Sequence, residues 1–166
     1  MKAVVVYESL WGNTAAIARA IAEGIGPEAR ALSTAEASAT AIADADLIVA
    51  GAPVHGFRLS TDKMRESIRK NPGRGAPTPP DLSHPSMRSW LDALPKGQRC
   101  FAAFETRIWW SPRGATPAIV SGLKRAGYHP VGKPQRFIVK GKYGFLRDGE
   151  LERARSWGTE LAQAVK

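Results

Sequence analysis

A short apolar strand, a polar turn and an amphipathic helix follow one another in residues 4–25, and this succession restricts the possible folds more than any other feature. The β-branched run at residues 4–6 is too apolar for a strand with one wet face, which favours a central strand of a parallel sheet. After the turn, Ile17, Ile21 and Ile25 recur at the spacing of one helix face. A buried strand that leads directly into a helix indicates an α/β fold.

The turn itself, Ser-Leu-Trp-Gly-Asn-Thr at residues 9–14, places hydroxyl and amide groups where the helix begins. A helix N-terminus has backbone N–H groups without intrahelical partners and carries roughly half a positive charge. Small polar residues and a glycine at this position allow a phosphate to approach closely. The turn therefore indicates a phosphate site. An ordinary helix start capped by Asn13 or Thr14 is the alternative interpretation.

The length of 166 residues predicts a single domain spanning residues 1–166. The chain has one cysteine, Cys100, which excludes an internal disulfide and a cysteine-based metal cluster. Its three histidines are isolated and show no metal-ligand spacing, so no metal is expected. Neither a signal-peptide core nor a membrane-spanning segment is recognisable, which predicts a cytoplasmic protein without a membrane partner.

The charge is large and unevenly distributed along the chain. Residues 1–62 contain four Lys/Arg and seven Asp/Glu, whereas residues 63–166 contain twenty and eight, and the net charge is +9. The basic residues are scattered and match no nucleic-acid-binding motif, so no nucleic-acid partner is expected. The excess indicates either a cationic surface without a specific role or a docking face for an acidic partner.

Strands are predicted at residues 4–6, 28–32, 46–51, 99–104 and 136–139, and they alternate with helices. This alternation predicts an α/β three-layer sandwich with a five-stranded parallel sheet of order 2-1-3-4-5. A proline-rich insert at about residues 71–86 is predicted to be a loop. Ligands of such sheets bind at the carboxyl ends of the strands, where loops 9–14, 52–57 and 105–113 are expected to meet.

These loops carry a resemblance to a known family. Ser9-x-x-Gly12-Asn13-Thr14 after a first strand resembles the phosphate-binding loop of flavodoxins, with Trp11 where a hydroxyl residue is usual. An aromatic residue before Gly-Asn-Thr is similar to flavodoxin-like proteins of actinobacteria and to the FMN domains of flavodiiron proteins. The region after residue 128 leaves no room for the extra loop of long-chain members, so the resemblance is to the short-chain type. The fingerprint sequences of the Walker loop and of dinucleotide sites are absent.

The resemblance implies FMN as the cofactor and three segments as its site. In flavodoxins the loops after the third and fourth strands enclose the flavin ring, so His55 or Phe57 is expected on one face and Trp109 or Trp110 on the other. The predicted cofactor-binding residues are Ser9, Leu10, Trp11, Gly12, Asn13, Thr14, Pro53, Val54, His55, Gly56, Phe57, Glu105, Thr106, Arg107, Trp109 and Trp110. No acid–base pair for substrate chemistry is recognisable, so no catalytic residue is predicted.

Three functions are compatible with this resemblance. The leading one is an FMN-binding electron-transfer protein whose basic surface docks a redox partner with an acidic docking face. The second is an FMN-dependent oxidoreductase acting on a quinone or a tetrapyrrole, and the third is a binding module of the same fold that has lost FMN. Because Arg58, Arg107 and Arg113 lie in or beside the predicted ring loops, the flavin is expected to have a raised reduction potential.

Overall fold

The computed structural model describes residues 1–73 and 75–166. Its strands are β1 (Ala3–Tyr7), β2 (Ala29–Ser33), β3 (Leu47–His55), β4 (Arg58–Leu59), β5 (Cys100–Ile108), β6 (His129–Pro130) and β7 (Gln135–Val139). Its helices are α1 (Asn13–Ile25), α2 (Asp62–Lys70), α3 (Met87–Asp92), α4 (Thr116–Arg125) and α5 (Glu150–Ala164). Among the described helices, none is long and apolar enough to cross a bilayer.

The sheet has the predicted strand order but more strands than predicted. The path β2-β1-β3-β5-β6 is parallel, and Ala3 of β1 lies between Ala29 of β2 and Leu47 of β3. Strand β7 also pairs with β5 in parallel, so β6 and β7 together take the fifth position. Gly132, with φ 68°, and Pro134 separate them, and neither residue suits a continuous ladder. The short β4 is antiparallel to β3, which brings the total among the described residues to seven strands where five were predicted.

Two hydrophobic cores cover the two faces of the sheet, as the three-layer prediction requires. One contains Ile17 and Ile21 of α1 together with Trp157 of α5. The other contains Trp90 of α3 and Ile119 of α4. In helix α2, only Arg65 is buried. Its side chain pairs with Glu8 at the end of β1.

Helices α1 and α5 pack with their backbones in close approach. A Cβ atom on Gly158 of α5 would lie 2.3 Å from the carbonyl oxygen of Ile21, and one on Gly24 of α1 would lie 2.0 Å from that of Arg155. Any side chain larger than hydrogen at either position would force the helices apart. This close packing fixes the C-terminal half of α1 against α5.

Strands β3 and β5 extend further than their sequences indicated. Residues 52–55 and 105–108 were predicted as loops, yet Ala52 and Pro53 pair in parallel with Glu105 and Thr106. The remaining connection after β3 is a hairpin turn at Gly56 and Phe57, both with positive φ (54° and 64°). The predicted loop at residues 71–86 has neither helix nor strand in its described part, whereas its Arg74 lies outside the described residues.

Candidate functional site

A cavity of about 530 Å³ lies at the carboxyl ends of β1, β3 and β5, the position expected for a ligand in this type of sheet. Its volume is within the range of about 300–1,000 Å³ that small-molecule sites occupy. The predicted residues that line it are Ser9, Leu10, Trp11, Asn13, Thr14, Pro53, Val54, His55, Gly56, Phe57, Thr106, Arg107 and Trp110. All three predicted segments therefore meet at one cavity.

The turn at residues 9–14 presents the start of α1 to this cavity. Gly12 is in the left-handed region with φ 102°, and its N–H donates to Ser9 Oγ at 3.1 Å. Within the part of the chain that the structure describes, no side chain caps the helix, in contrast to the capped-helix interpretation with Asn13 or Thr14. The Asn13 amide instead donates to the carbonyl of Gly144 at 2.7 Å, and the Thr14 hydroxyl bonds to that of Thr106 at 2.8 Å. The first N–H groups of α1 are thus left for an anion.

Trp11 closes one side of the turn. Its indole N–H donates to the carbonyl of Thr78 in the proline-rich segment at 2.9 Å. Its ring contacts that of Tyr143 edge-on, with the centroids 5.0 Å apart. Tyr143 in turn donates its hydroxyl to the carbonyl of Pro72. Trp11 therefore joins the proline-rich segment to the loop after β7, and together they wall the cavity beside the turn.

Two exposed aromatic residues from different loops also line the cavity. Phe57 comes from the hairpin after β3 and Trp110 from the turn after β5, and their ring centroids are 5.9 Å apart. Left-handed backbone is uncommon for an aromatic residue, and such strain tends to occur at functional positions. The neighbouring Trp109 is 75% exposed and does not line the cavity. Of the tryptophan pair, Trp110 is thus the one that can meet a ligand.

The comparisons with known proteins agree with this geometry. The sequence model of the flavodoxin domain family matches residues 4–74, from β1 into the proline-rich segment. An archaeal flavodoxin structure is 21% identical, with 99% of each chain covered and a TM-score of 0.68. Flavodoxin 1 from Bacillus cereus is 17% identical, with 98% of each chain covered and a TM-score of 0.67. The fold is flavodoxin-like.

A third similar structure is part of a larger protein. The Flv1 flavodiiron core from Synechocystis sp. PCC6803 is 20% identical and has a TM-score of 0.62, with 99% of this chain covered but only 36% of that one. The flavodoxin-like chain thus corresponds to about a third of that larger protein. A search of curated protein sequences finds no match. The actinobacterial subtype stays a prediction, whereas FMN, the expected cofactor, is the cofactor of the flavodoxin family.

The surroundings of His55 indicate whether the cavity suits FMN. Its ring nitrogen Nε2 is buried, and no described residue gives it a hydrogen-bond partner. Burial lowers the pKa of His55 to about 4, and the charges of Lys142 and Arg65 act in the same direction. The imidazole is therefore neutral at pH 7 and offers a buried polar atom to a ligand. A flavin ring, with donors and acceptors along its edge, fits this requirement.

Three of the predicted residues lie outside the lining of the cavity, namely Gly12, Glu105 and Trp109. Glu105 has a different place from the one expected: it is fully buried and accepts the N–H groups of Ala115 at 2.6 Å and Thr116 at 2.9 Å. It therefore serves as the hydrogen-bond acceptor for the free N–H groups at the start of α4. It also lies 3.1 Å from the guanidinium of Arg107 and neutralises that charge.

The loop after β7 forms much of the flavodoxin-like cavity and was not predicted as part of it. The lining residues outside the predicted segments are Pro77, Val139, Gly141, Lys142, Tyr143, Gly144 and Phe145. Ile108 and Ser111 also line it; they lie within the expected loop 105–113 but were not among the predicted cofactor-binding residues. The available signal was topological, because the carboxyl end of the last parallel strand meets the same edge of the sheet. No cluster of metal-ligating side chains occurs within residues 1–73 and 75–166.

Proposed function

We propose that this chain binds FMN in the cavity and acts as an electron-transfer protein. The observation that carries the proposal is the convergence of three features on one cavity: the start of α1, the aromatic pair Phe57 and Trp110, and the buried Nε2 of His55. Among the described residues, neither that helix start nor that nitrogen has a side-chain partner. The helix start suits the phosphate of a flavin mononucleotide, the aromatic pair suits its planar ring, and His55 suits the polar edge of that ring. The flavodoxin fold, whose members carry electrons to redox partner proteins, supports the same role.

The residues divide into those that would hold the phosphate and those that would hold the ring. Around the phosphate, Ser9 and the N–H groups of residues 13–15 supply donors, and the helix dipole favours its negative charge. Around the ring, Phe57 and Trp110 supply apolar surfaces, while His55 presents a neutral nitrogen. FMN, when bound, takes up and releases one or two electrons, and the role of the chain is to orient it and limit its contact with water.

The mouth of the cavity supports docking of a partner with an acidic face. Arg58, Arg113 and Lys142 are exposed at or beside this mouth. None of the described residues that line the cavity is Asp or Glu. Phe145, 86% exposed, adds apolar surface to the same side. A basic rim around exposed aromatic side chains suits an acidic redox protein, because opposite charges steer the encounter and the rings supply contact area.

The same exposed rings favour one alternative function. A quinone or a tetrapyrrole is planar, and Phe57 with Trp110 offers a surface on which such a molecule stacks. An FMN-dependent oxidoreductase would turn over NAD(P)H and a quinone without any partner protein. An electron-transfer protein would require a separate reductase, so this assay separates the two functions.

The decisive experiment measures FMN binding with a matched pair of tryptophan variants. Titration of the flavin-free protein, followed by quenching of flavin fluorescence, is expected to show tight binding by the wild type. Trp110→Ala should raise Kd at least about fivefold, since a stacked aromatic ring contributes about 1 kcal/mol beyond its buried area. Trp109→Ala, which changes a neighbouring ring outside the cavity lining, should bind FMN like the wild type.

The outcomes are distinct. A wild type that does not bind FMN would refute the proposal and leave a binding module of this fold as the remaining function. Equal losses in the two variants would show that FMN binding does not depend specifically on the ring of Trp110. Docking is tested separately by the rate of electron transfer to an acidic redox protein, which should fall as salt is added.

A further inference from the structure

A buried chain of hydrogen bonds runs from α2 to the turn at residues 9–14. Glu8, at the end of β1, pairs with Arg65 of α2 at 2.8 Å, and both side chains are buried. The other carboxylate oxygen of Glu8 accepts the N–H of Met87 at 2.7 Å. Arg65 also donates to the carbonyl of His84 at 2.5 Å. His84 is thereby fixed at a defined place beside the turn.

The imidazole of His84 makes the last contact in this chain. It is 6% exposed, and its Nε2 accepts the backbone N–H of Ser9 at 3.3 Å. An accepting Nε2 carries no proton, so the proton of the neutral ring is on Nδ1, which lies 3.8 Å from Asp81 Oδ1. The charged groups that face the ring are Asp81, Glu8 and Arg65. Burial and the Arg65 charge lower the pKa of His84, which agrees with a neutral ring at pH 7.

Ser9 transmits this contact to the start of α1. Its Oγ accepts the N–H of Gly12 at 3.1 Å, and Gly12 is the left-handed residue from which α1 departs. A second contact supports the same segment, because the N–H of Asp81 donates to the carbonyl of Leu10 at 2.9 Å. The end of the proline-rich segment therefore holds the turn at two consecutive residues.

We propose that His84 is a positioning residue for the phosphate-binding turn: its imidazole fixes Ser9, and through Ser9 it fixes the N–H groups that meet the phosphate of FMN. This inference rests on the proposed function for its ligand. His84 does not line the cavity, so its influence reaches the phosphate only through the geometry of the turn.

The first test compares FMN with riboflavin, which has the same ring and no phosphate. His84→Leu removes the acceptor, and we expect the Kd for FMN to rise about fivefold to tenfold, the equivalent of one ordinary hydrogen bond. The Kd for riboflavin should stay within about twofold, because the ring contacts are unchanged. His84→Gln keeps an acceptor oxygen near the position of Nε2 and should retain most of the FMN affinity. His129→Leu, an exposed histidine on β6, is the control and should leave both constants unchanged.

A loss of the same size for FMN and riboflavin would overturn the proposal, as would a His84→Gln variant as weak as His84→Leu. A wild type that binds neither flavin would instead refute the proposed function. In that case an NMR titration of the flavin-free protein decides whether His84 holds the turn. The amide nitrogen of Ser9 should shift with the protonation of His84, and a Ser9 amide that does not follow this titration would overturn the inference.

Discussion

His55 gives the flavin-free protein a stability that depends on pH. In the unfolded chain this imidazole titrates near 6.5, whereas burial in the cavity wall lowers its pKa to about 4. Between these two values the unfolded state binds a proton that the folded state does not bind. The free energy of unfolding must therefore fall as the pH is lowered from about 6.5 towards 4.

The size of the effect follows from the difference in pKa. A difference of roughly 2.5 units, at 1.36 kcal/mol per unit, gives about 3 kcal/mol once the pH is below both values. This is an upper limit, because a ring in a cavity wall gains some solvation when it is protonated. A loss of about 1–3 kcal/mol is large against the stability of a typical domain, about 5–15 kcal/mol.

The assay is urea unfolding of the wild type and of His55→Gln at pH 7, 5.5 and 4.5, without flavin. His84 and the carboxylates titrate in both proteins, so their contributions cancel in the difference. The wild type should lose about 1–3 kcal/mol more than the variant over this interval. A direct NMR titration of the His55 ring should give a midpoint well below 6.5.

Two results would contradict the lowered pKa of His55 as the source of this pH dependence. One is a His55 ring that titrates near its ordinary value, which would mean that water reaches Nε2. The other is a parallel pH dependence for the wild type and His55→Gln, which would place the responsible group elsewhere. Either result would also weaken the use of His55 as evidence for a flavin in the cavity.

Two further predictions concern the packing around the site, and both are measured by chemical denaturation. Gly158→Ala should destabilise the protein by about 1–3 kcal/mol, because its Cβ would lie 2.3 Å from the carbonyl oxygen of Ile21. Gln163→Ala on the exposed face of the same helix should change stability by less than about 0.5 kcal/mol, and equal effects would show that the helices separate freely. Glu105→Gln should cost about 3–5 kcal/mol, because it leaves a buried guanidinium without its counter-charge. The exposed Glu160→Gln is its control, and a neutral Glu105→Gln would contradict the assigned role.

The start of the chain was the part of the fold most predictable from sequence. The valine run, the polar turn and the isoleucine spacing are local patterns, and β1 and α1 form where they indicate. The ends of β3 and β5 were not predictable in this way. Pro53 is typical of a loop, yet pairing with β5, about fifty residues away in the sequence, keeps this segment extended.

The candidate site was predictable where the fold family has a sequence pattern and less so where tertiary contacts decide. Ser9 to Thr14 were identified from their motif, and the structure brings them to the cavity except for Gly12. Tyr143 was not identified, because its position depends on Trp11 and on the proline-rich segment. Neither contact leaves a periodic or compositional pattern in the sequence.

The number of basic residues near the predicted flavin loops overstates the positive charge that a bound flavin would experience. The sequence placed Arg58, Arg107 and Arg113 near the flavin ring, but Arg107 is neutralised by Glu105 at 3.1 Å. The cationic side chains that remain at the mouth, including Lys142, are exposed, so solvent and salt screen them over about 10 Å at 0.1 M ionic strength. Their effect on a flavin potential must therefore shrink as salt is added, just as their attraction for an acidic partner does. A raised potential that persists at high salt would have to come from buried groups such as His55 and the backbone around it, and not from the basic rim.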